Sequence, residues 1–394
     1  MIFYPRKILP SLEKELYTSQ MIVLTGMRRV GKTTIIRYLF EKVRSSNKAL
    51  FDLENPLHRK VFEEEDYDAV WANLVHFNIK KEDRAFIFLD EIQNLPSIPN
   101  VAKYLYDHSK TKFFMTGSSS FYLKNLFSES MSNRKIVFEL YPLTFSEFLI
   151  FKKISRITKD SFASKAKEKN KIAYRKLIPF WREYVELGGF PEVVLEENLE
   201  RKRMLLNEIF TSYFERDVKT LADFKDLTKI RDLILLLADR VGSKLDIVKL
   251  SSILSLSRET VYNYLEFLQA SYFISLLSKH TGSIDRKVAG GKKVYLCDTG
   301  LTNILGKVSA GQLFEAGVFE NFRPDYNLSY FDKEGFSEID FIADGKIGFE
   351  VKTSVSAKES ASLARRMISA KLKEGYLISS EYSPTPGVIL ATDL

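Results

Sequence analysis

Gly26-Met27-Arg28-Arg29-Val30-Gly31-Lys32-Thr33 has the spacing of a phosphate loop: glycine, four residues, then glycine-lysine-threonine. Glycines let backbone N–H groups close around phosphate oxygens, and a helix starting at the loop adds partial positive charge. Lys32 would reach the outer phosphates of ATP, and the Thr33 hydroxyl would ligate Mg²⁺. Thr34 closes the stretch expected to contact the nucleotide. About sixty residues on, AFIFLDE (85–91) runs four apolar residues into Asp90 and Glu91. There Asp90 would hold Mg²⁺ through water, and Glu91 would orient or deprotonate the attacking water. KFFMTGSSS (112–120) places Ser118 either near the γ-phosphate or in a plain turn. Arg134 would stabilise transferring charge from its own or a neighbouring subunit, or else is a surface arginine. The neighbouring-subunit reading implies a homo-oligomer.

A second constellation lies in SEIDFIADGKIGFEVKTS (337–354). Asp340 ahead of Glu350-Val351-Lys352 resembles the acid and acid-x-lysine arrangement of restriction-endonuclease-like nucleases. Asp340 and Glu350 would bind Mg²⁺, a hard cation suited to oxygen ligands, and the metal would activate water. Lys352, two residues beyond Glu350, shares its side of a strand and could stabilise developing negative charge. Glu320, on a preceding helix, would orient Lys352 or complete the metal shell. A hairpin with a three-residue loop at 343–345 would pair Phe341 with Ile347, Ile339 with Phe349 and Asp340 with Gly348. All the apolar residues would then share one face, and Asp340, Glu350 and Lys352 the other. Gly345 suits a left-handed loop position. The competing reading is a domain that keeps this fold without cleaving.

These residues need elements to carry them. MIVLTG (21–26), KALFDL (48–53), AFIFLDE, KFFMTGS (112–118) and KIVFELYPL (135–143) are apolar runs of strand length. Amphipathic stretches such as 33–43 and 101–108 separate them, which argues for a mostly parallel sheet covered on both faces. The middle, about 145–240, has a helical pattern, clearest in IRDLILLLADRVG (230–242) with Gly242 as its stop. DIVKLSSILSLSRETVYNYLEFLQ (246–269) divides into two helices at Leu256-Ser257, with Ser257 as an N-cap. Ile247, Leu250, Ile253 and Leu254 would form one buried stripe, and Val261, Leu265 and Leu268 another. Arg258, Glu259, Tyr262 and Asn263 would stay outside, either to meet DNA or as part of a bracket between domains. From about 310 the pattern is one helix, several strands, a helix and two more strands.

Bulk properties narrow the chemistry. The chain has 394 residues, 45% hydrophobic, with a formal net charge of +8. One cysteine, Cys297, and four scattered histidines exclude a disulfide framework and argue against zinc. No apolar run approaches the roughly 20 residues of a membrane span, so a soluble, cytoplasmic protein is expected. From Lys152 to Arg182 eleven Lys/Arg face two acids, a local excess as large as that of the whole chain. That segment is either a solvated helical face or insert, or a phosphate-backbone contact surface.

Beyond the single motifs, the chain resembles archaeal and bacterial AAA-type ATPases that carry an uncharacterised C-terminal domain. The resemblance rests on GMRRVGKTT (26–34), FIFLDEIQ (86–93), TGSSS (116–120), YPLTFSEF (141–148), GGFPEVV (188–194), FERDV (214–218), KVYLCDTGL (293–301) and FENF (319–322), in that order. Family members often have Gly-Arg before the YPL-type strand, where this chain has Asn133-Arg134. The implied fold is α/β: a P-loop NTPase sheet over 1–150, a helical region with the basic segment over 151–240, a winged-helix-like domain over 241–305 and a restriction-endonuclease-like domain over 306–394. The expected function is ATP binding and hydrolysis with Mg²⁺, acting on DNA. The rival is a regulatory ATPase switch whose C-terminal domain mediates interactions without cleaving.

Overall fold

The apolar runs of the N-terminal third become strands β1 (Met21–Thr25), β2 (Lys48–Asp52), β3 (Ala85–Asp90), β4 (Thr111–Gly117) and β5 (Lys135–Glu139). They pair in parallel in the order β2-β3-β4-β1-β5. β1, β3 and β4 are buried along their whole length, as parallel strands covered on both faces must be. Helices α1 (Lys32–Lys42) and α2 (Ile98–His108) are among the connections that provide the cover. This is the P-loop NTPase arrangement, and it brings the ends of β1, β3 and β4 to one edge.

The computed structural model describes residues 3–118, 134–156, 159, 161–219, 226–283, 290–333 and 337–394. The chain divides into two compact units, the first Met1–Tyr141 with short later pieces that include Ala270–Tyr272, and the second most of the remainder.

In the second unit α3 (Lys171–Leu187) and α4 (Leu227–Ala238) precede the expected helix pair, α5 (Ile247–Leu254) and α6 (Arg258–Ala270). The Ser257 hydroxyl accepts the Thr260 amide at 3.0 Å, capping α6 as expected. Leu250 and Leu254 are buried, but Ile253 is 49% exposed, so the α5 stripe is narrower than its sequence suggests. α4 ends at Ala238 rather than at Gly242, whose φ of +76° serves a later turn. Strands β6 (Ile274–Leu277) and β7 (Lys293–Leu296) form an antiparallel pair.

α7 (Ala310–Phe322) leads into a five-stranded mixed sheet. β8 (Leu328–Lys333), β9 (Ser337–Ala343) and β10 (Ile347–Lys352) are antiparallel. After α8 (Ala357–Ala370), β11 (Glu374–Ser379) and β12 (Val388–Leu390) extend the sheet in parallel.

The β9–β10 register differs from the sequence expectation. Ala343 pairs with Ile347, and Phe341 with Phe349, two residues from the expected alignment. Asp344 and Gly345 both adopt left-handed backbone, φ +51° and +67°, in a loop that keeps the expected three residues but spans 344–346, one residue later than expected. The expected segregation of faces also fails. Phe331 pairs with Ile339 while Ser329 pairs with Ile342, so a β-bulge sets Asp340 and Phe341 against the single Tyr330. Ile339 and Ile342 therefore share the core with α8 residues Leu363 and Met367. Phe341 instead meets Phe319 and Phe322 of α7. Apolar side chains of β9 thus lie on both faces of the sheet, toward α8 on one and α7 on the other.

Candidate functional site

At the exposed end of β1 the backbone is shaped by two glycines. Gly26 has φ +147°, and a Cβ there would lie 2.1 Å from the Leu140 carbonyl oxygen. Gly31, at φ +101°, turns the chain into α1. Met27 and Val30 are buried and anchor the loop, whereas Arg28 is half-buried and Arg29 exposed. Thr33 is half-buried and Thr34 exposed on α1. Lys32 is 4% exposed, and its ammonium donates to the carbonyls of Gly26 at 2.8 Å and Met27 at 2.9 Å. A buried ammonium held by loop carbonyls is poised for an anion in the loop.

Asp90 ends β3 facing this loop. Its carboxylate accepts hydrogen bonds from the hydroxyls of Thr116 and Thr33. Burial pushes its pKa up against those hydrogen bonds, and the nearby Glu91 and Asp52 carboxylates push the same way. A buried carboxylate in contact with a threonine hydroxyl fits a hard divalent cation. Glu91 has left-handed backbone, φ +56°, and its amide donates to the Thr116 oxygen at 3.0 Å. Its carboxylate accepts from the Gln93 amide. Ser118 is buried at the end of β4, with its amide 3.4 Å from the Gln93 Oε1. Thus Lys32, Thr33, Asp90, Glu91 and Ser118 gather at one edge of the sheet.

Arg134 does not join them. β5 runs alongside β1 with Met21 opposite Lys135, so Arg134 lies at the far edge, about 16 Å away at ~3.3 Å per residue. There it forms an ion pair with Asp107 at 2.8 Å.

The C-terminal residues are only partly brought together. Glu350 is buried; one of its oxygens pairs with Arg366 of α8 and lies 3.1 Å from Lys352. The other, Oε2, is buried without a hydrogen bond. Against the cost of burial, Lys352 is held charged by the Asp340 and Glu350 carboxylates, and its pKa is raised. Asp340, carried round by the bulge, accepts the Val351 amide at 2.8 Å and lies 3.7 Å from the Lys293 ammonium. Burial, reinforced by Glu315, lifts its pKa to about 7. Lys293 further contacts Glu338 at 2.7 Å and Glu315 at 3.4 Å. Among the described residues no three acid, histidine or cysteine side chains converge on a metal position, so a C-terminal Mg²⁺ does not fit this arrangement.

Glu320 is not part of that cluster. One carboxylate oxygen accepts from the Tyr184 hydroxyl at 3.4 Å, and the other is buried without a hydrogen bond. Phe319 and Phe322 of the same helix face the sheet, and Glu320 points elsewhere because of helical spacing. Its pKa is driven well up by burial and then by Asp298. Asp298 is itself buried and takes the amides of Gly189 at 2.6 Å and Leu301 at 3.2 Å. The GGF and CDTGL stretches therefore lock together around Asp298.

Residues 18–149 match the family described as AAA domain. Residues 178–312 match a family described as Domain of unknown function (DUF8612). An uncharacterized protein of Methanocaldococcus jannaschii is 28% identical over 347 residues, covering 85% of this chain and 74% of that protein. One from Haemophilus influenzae is 25% identical, covering 84% of each. The Aeropyrum pernix ORC1 protein in complex with DNA is 13% identical with a TM-score of 0.34, covering 77% of this chain and 92% of that one. AMPPCP-bound DnaA from Aquifex aeolicus is 13% identical with a TM-score of 0.28, covering 68% and 89%. At these scores the structural likeness carries no argument about activity.

Three further residues of the first unit support the site without having been assigned a role from the sequence. Thr116 bridges Asp90 and Glu91, Gln93 bridges Glu91 and Ser118, and Arg6 donates to the carbonyls of Val30 at 2.9 Å and Tyr141 at 2.8 Å. The polar end of an apolar run signals Thr116, whereas Arg6 lies far from any motif. The basic segment of the second unit splits in two. Lys152 pairs with Glu183 at 2.8 Å, Lys159 pairs with Asp393 at 2.9 Å, and Arg156 donates to the Thr392 carbonyl at 3.1 Å. Lys171, Arg175, Lys176 and Arg182 are exposed on α3. No helix among the described residues is long and apolar enough to cross a membrane.

Proposed function

We propose that the AAA domain hydrolyses Mg-ATP and that nucleotide state controls the engagement of duplex DNA by the second unit. The observation that supports this most is the cluster at the sheet edge, where Lys32 is buried against loop carbonyls and Asp90 accepts from Thr33. Lys32 and the amides of 26–34 would hold the phosphates. Thr33 and Asp90 would hold Mg²⁺, which neutralises phosphate charge when bound. Glu91 would orient the attacking water, and Ser118 would sense the outer phosphate through the end of β4. Arg134, remote from its own loop, would act only on a neighbouring subunit's nucleotide.

DNA would be held through the exposed cations of α3, with a winged-helix-like portion (241–305) and a restriction-endonuclease-like portion (306–394) completing the unit. The C-terminal domain in this reading binds without cleaving. Cleavage is a second reading, favoured by Lys352 lying between Asp340 and Glu350. The test is ATP hydrolysis measured with and without duplex DNA, with the DNA products separated on a gel. Hydrolysis indifferent to DNA, with no binding that weakens as salt rises, would remove DNA from the proposal.

A further inference from the structure

The misfit between the C-terminal acids and a metal has a specific structural cause. Lys293 opens β7 and is only 4% exposed along its side chain. Its ammonium is shared by three carboxylates from two elements: Glu315 of α7 at 3.4 Å, and Glu338 and Asp340 of β9 at 2.7 and 3.7 Å. Tyr295, two residues on, donates to Glu315 at 2.6 Å, and the Tyr330 ring lies 5.6 Å beneath the ammonium. Three carboxylates around one cation leave a local excess of negative charge, and a buried charge persists only when paired.

We propose that Lys293 is the resident cation of this acid cluster, and that it closes the cluster to a divalent metal while the β6–β7 hairpin is docked on the sheet. The docking is extensive. Lys279 bridges to Tyr330, the His280 amide donates to the Tyr330 carbonyl at 2.6 Å, and the Tyr330 amide donates to the Ser278 carbonyl at 3.1 Å. The ammonium lies 3.7 Å from Asp340, so Asp340 is held toward β7 while Glu350 turns to Arg366. Withdrawing the hairpin would withdraw the ammonium and leave Lys352 as the remaining cation acting on Asp340, short of the charge that balances the cluster. Access of metal to the site is thus tied to the position of a hairpin carried by the helix-pair region.

The inference deepens the cleavage reading and rests on it. Thermal unfolding of the nucleotide-free full chain, with and without Mn²⁺, tests it. The parent and Asp340→Asn should respond to Mn²⁺ identically. Lys293→Gln should unfold at a lower temperature and regain several degrees on adding Mn²⁺, and Lys293→Gln combined with Asp340→Asn should lose that gain. If Lys293→Gln fails to fold, Lys293→Met with Glu315→Gln leaves fewer uncompensated carboxylates and should show the same Asp340-dependent gain. An Asp340-dependent Mn²⁺ shift in the parent, or none in the folded Lys293 variant, overturns the proposal. Mn²⁺ binding to the variant without DNA cleavage would instead sink the cleavage reading and leave Lys293 as the resident cation.

Discussion

The two acidic constellations of this chain are built on opposite plans. At the AAA edge, parallel neighbouring strands deliver Thr25, Asp90 and Gly117 to one level, and the loop after β1 wraps itself around an ammonium it supplies. At the C-terminal sheet, an antiparallel pair interrupted by a bulge sends Asp340 and Glu350 to different partners. The first is assembled from residues close to a motif. The second depends on Lys293, Glu315 and Arg366, which arrive from a hairpin and two helices. A motif's chemistry is therefore secure where the backbone positions it, and conditional where distant charges do.

The largest effects should come from the AAA edge. Lys32→Ala removes the buried ammonium and is expected to abolish ATP binding in a nucleotide-affinity measurement. Glu91→Gln should bind ATP normally while phosphate release falls roughly 10²–10⁴-fold, the range for losing a positioned general base. Parental turnover by Glu91→Gln would erase the contrast between a self-contained site and a conditional one.

The next effect concerns pH in the second unit. Burial lifts Asp298 to about 6 against the pull of the Gly189, Leu301 and Gly300 amides. The folded state therefore binds this proton more tightly than the unfolded chain, whose aspartate titrates near 3.9. The group's contribution to stability is full below pH ~4 and is lost as pH rises through about 6, a change on the order of 3 kcal/mol. Asp298→Asn should flatten denaturant-measured stability between pH 4 and 7. A parental slope in the variant would show that other groups carry the dependence.

Element order in both sheets is legible in the sequence because apolar runs and turn residues recur at strand spacing, and the phosphate loop is legible because its chemistry is local. The β9 bulge is not, since Ile339, Phe341 and Ile342 are all apolar and alternation alone cannot say which pair shares a face. Glu320 departs from its expected place because its neighbours, Phe319 and Phe322, claim the face of α7 that meets the sheet. Lys293 is equally hidden, because nothing in KVYLCDTGL marks a lysine as buried.

A smaller effect should divide the basic segment. Replacing Lys171, Arg175, Lys176 and Arg182 with glutamine should weaken DNA binding and flatten its dependence on log salt, by about 0.9 for each phosphate no longer neutralised. Replacing Lys152 and Lys159, whose ammoniums pair with Glu183 and Asp393, should cost stability before it costs affinity. An unchanged salt slope in the α3 variant would make that face a solvated one.

The smallest effect is expected at Arg134, and it sharpens the comparison most. Its guanidinium pairs with Asp107 at the edge of the sheet remote from the phosphate loop, with about a third of the side chain exposed. Breaking so exposed a pair should cost at most about 1 kcal/mol. In a dilute, monomeric preparation, Arg134→Ala should therefore hydrolyse ATP at the parental rate. If Arg134 reaches a neighbouring subunit's nucleotide, the rate per chain of the parent should rise with protein concentration and that of the variant should not. Mixing Arg134→Ala with Lys32→Ala then decides the matter, because each variant retains what the other lacks. Activity recovered in the mixture would mean that the AAA site borrows a distant charge too, and that its apparent self-sufficiency is a property of the single chain. No recovery, together with a flat concentration dependence, would leave Arg134 as a surface ion pair.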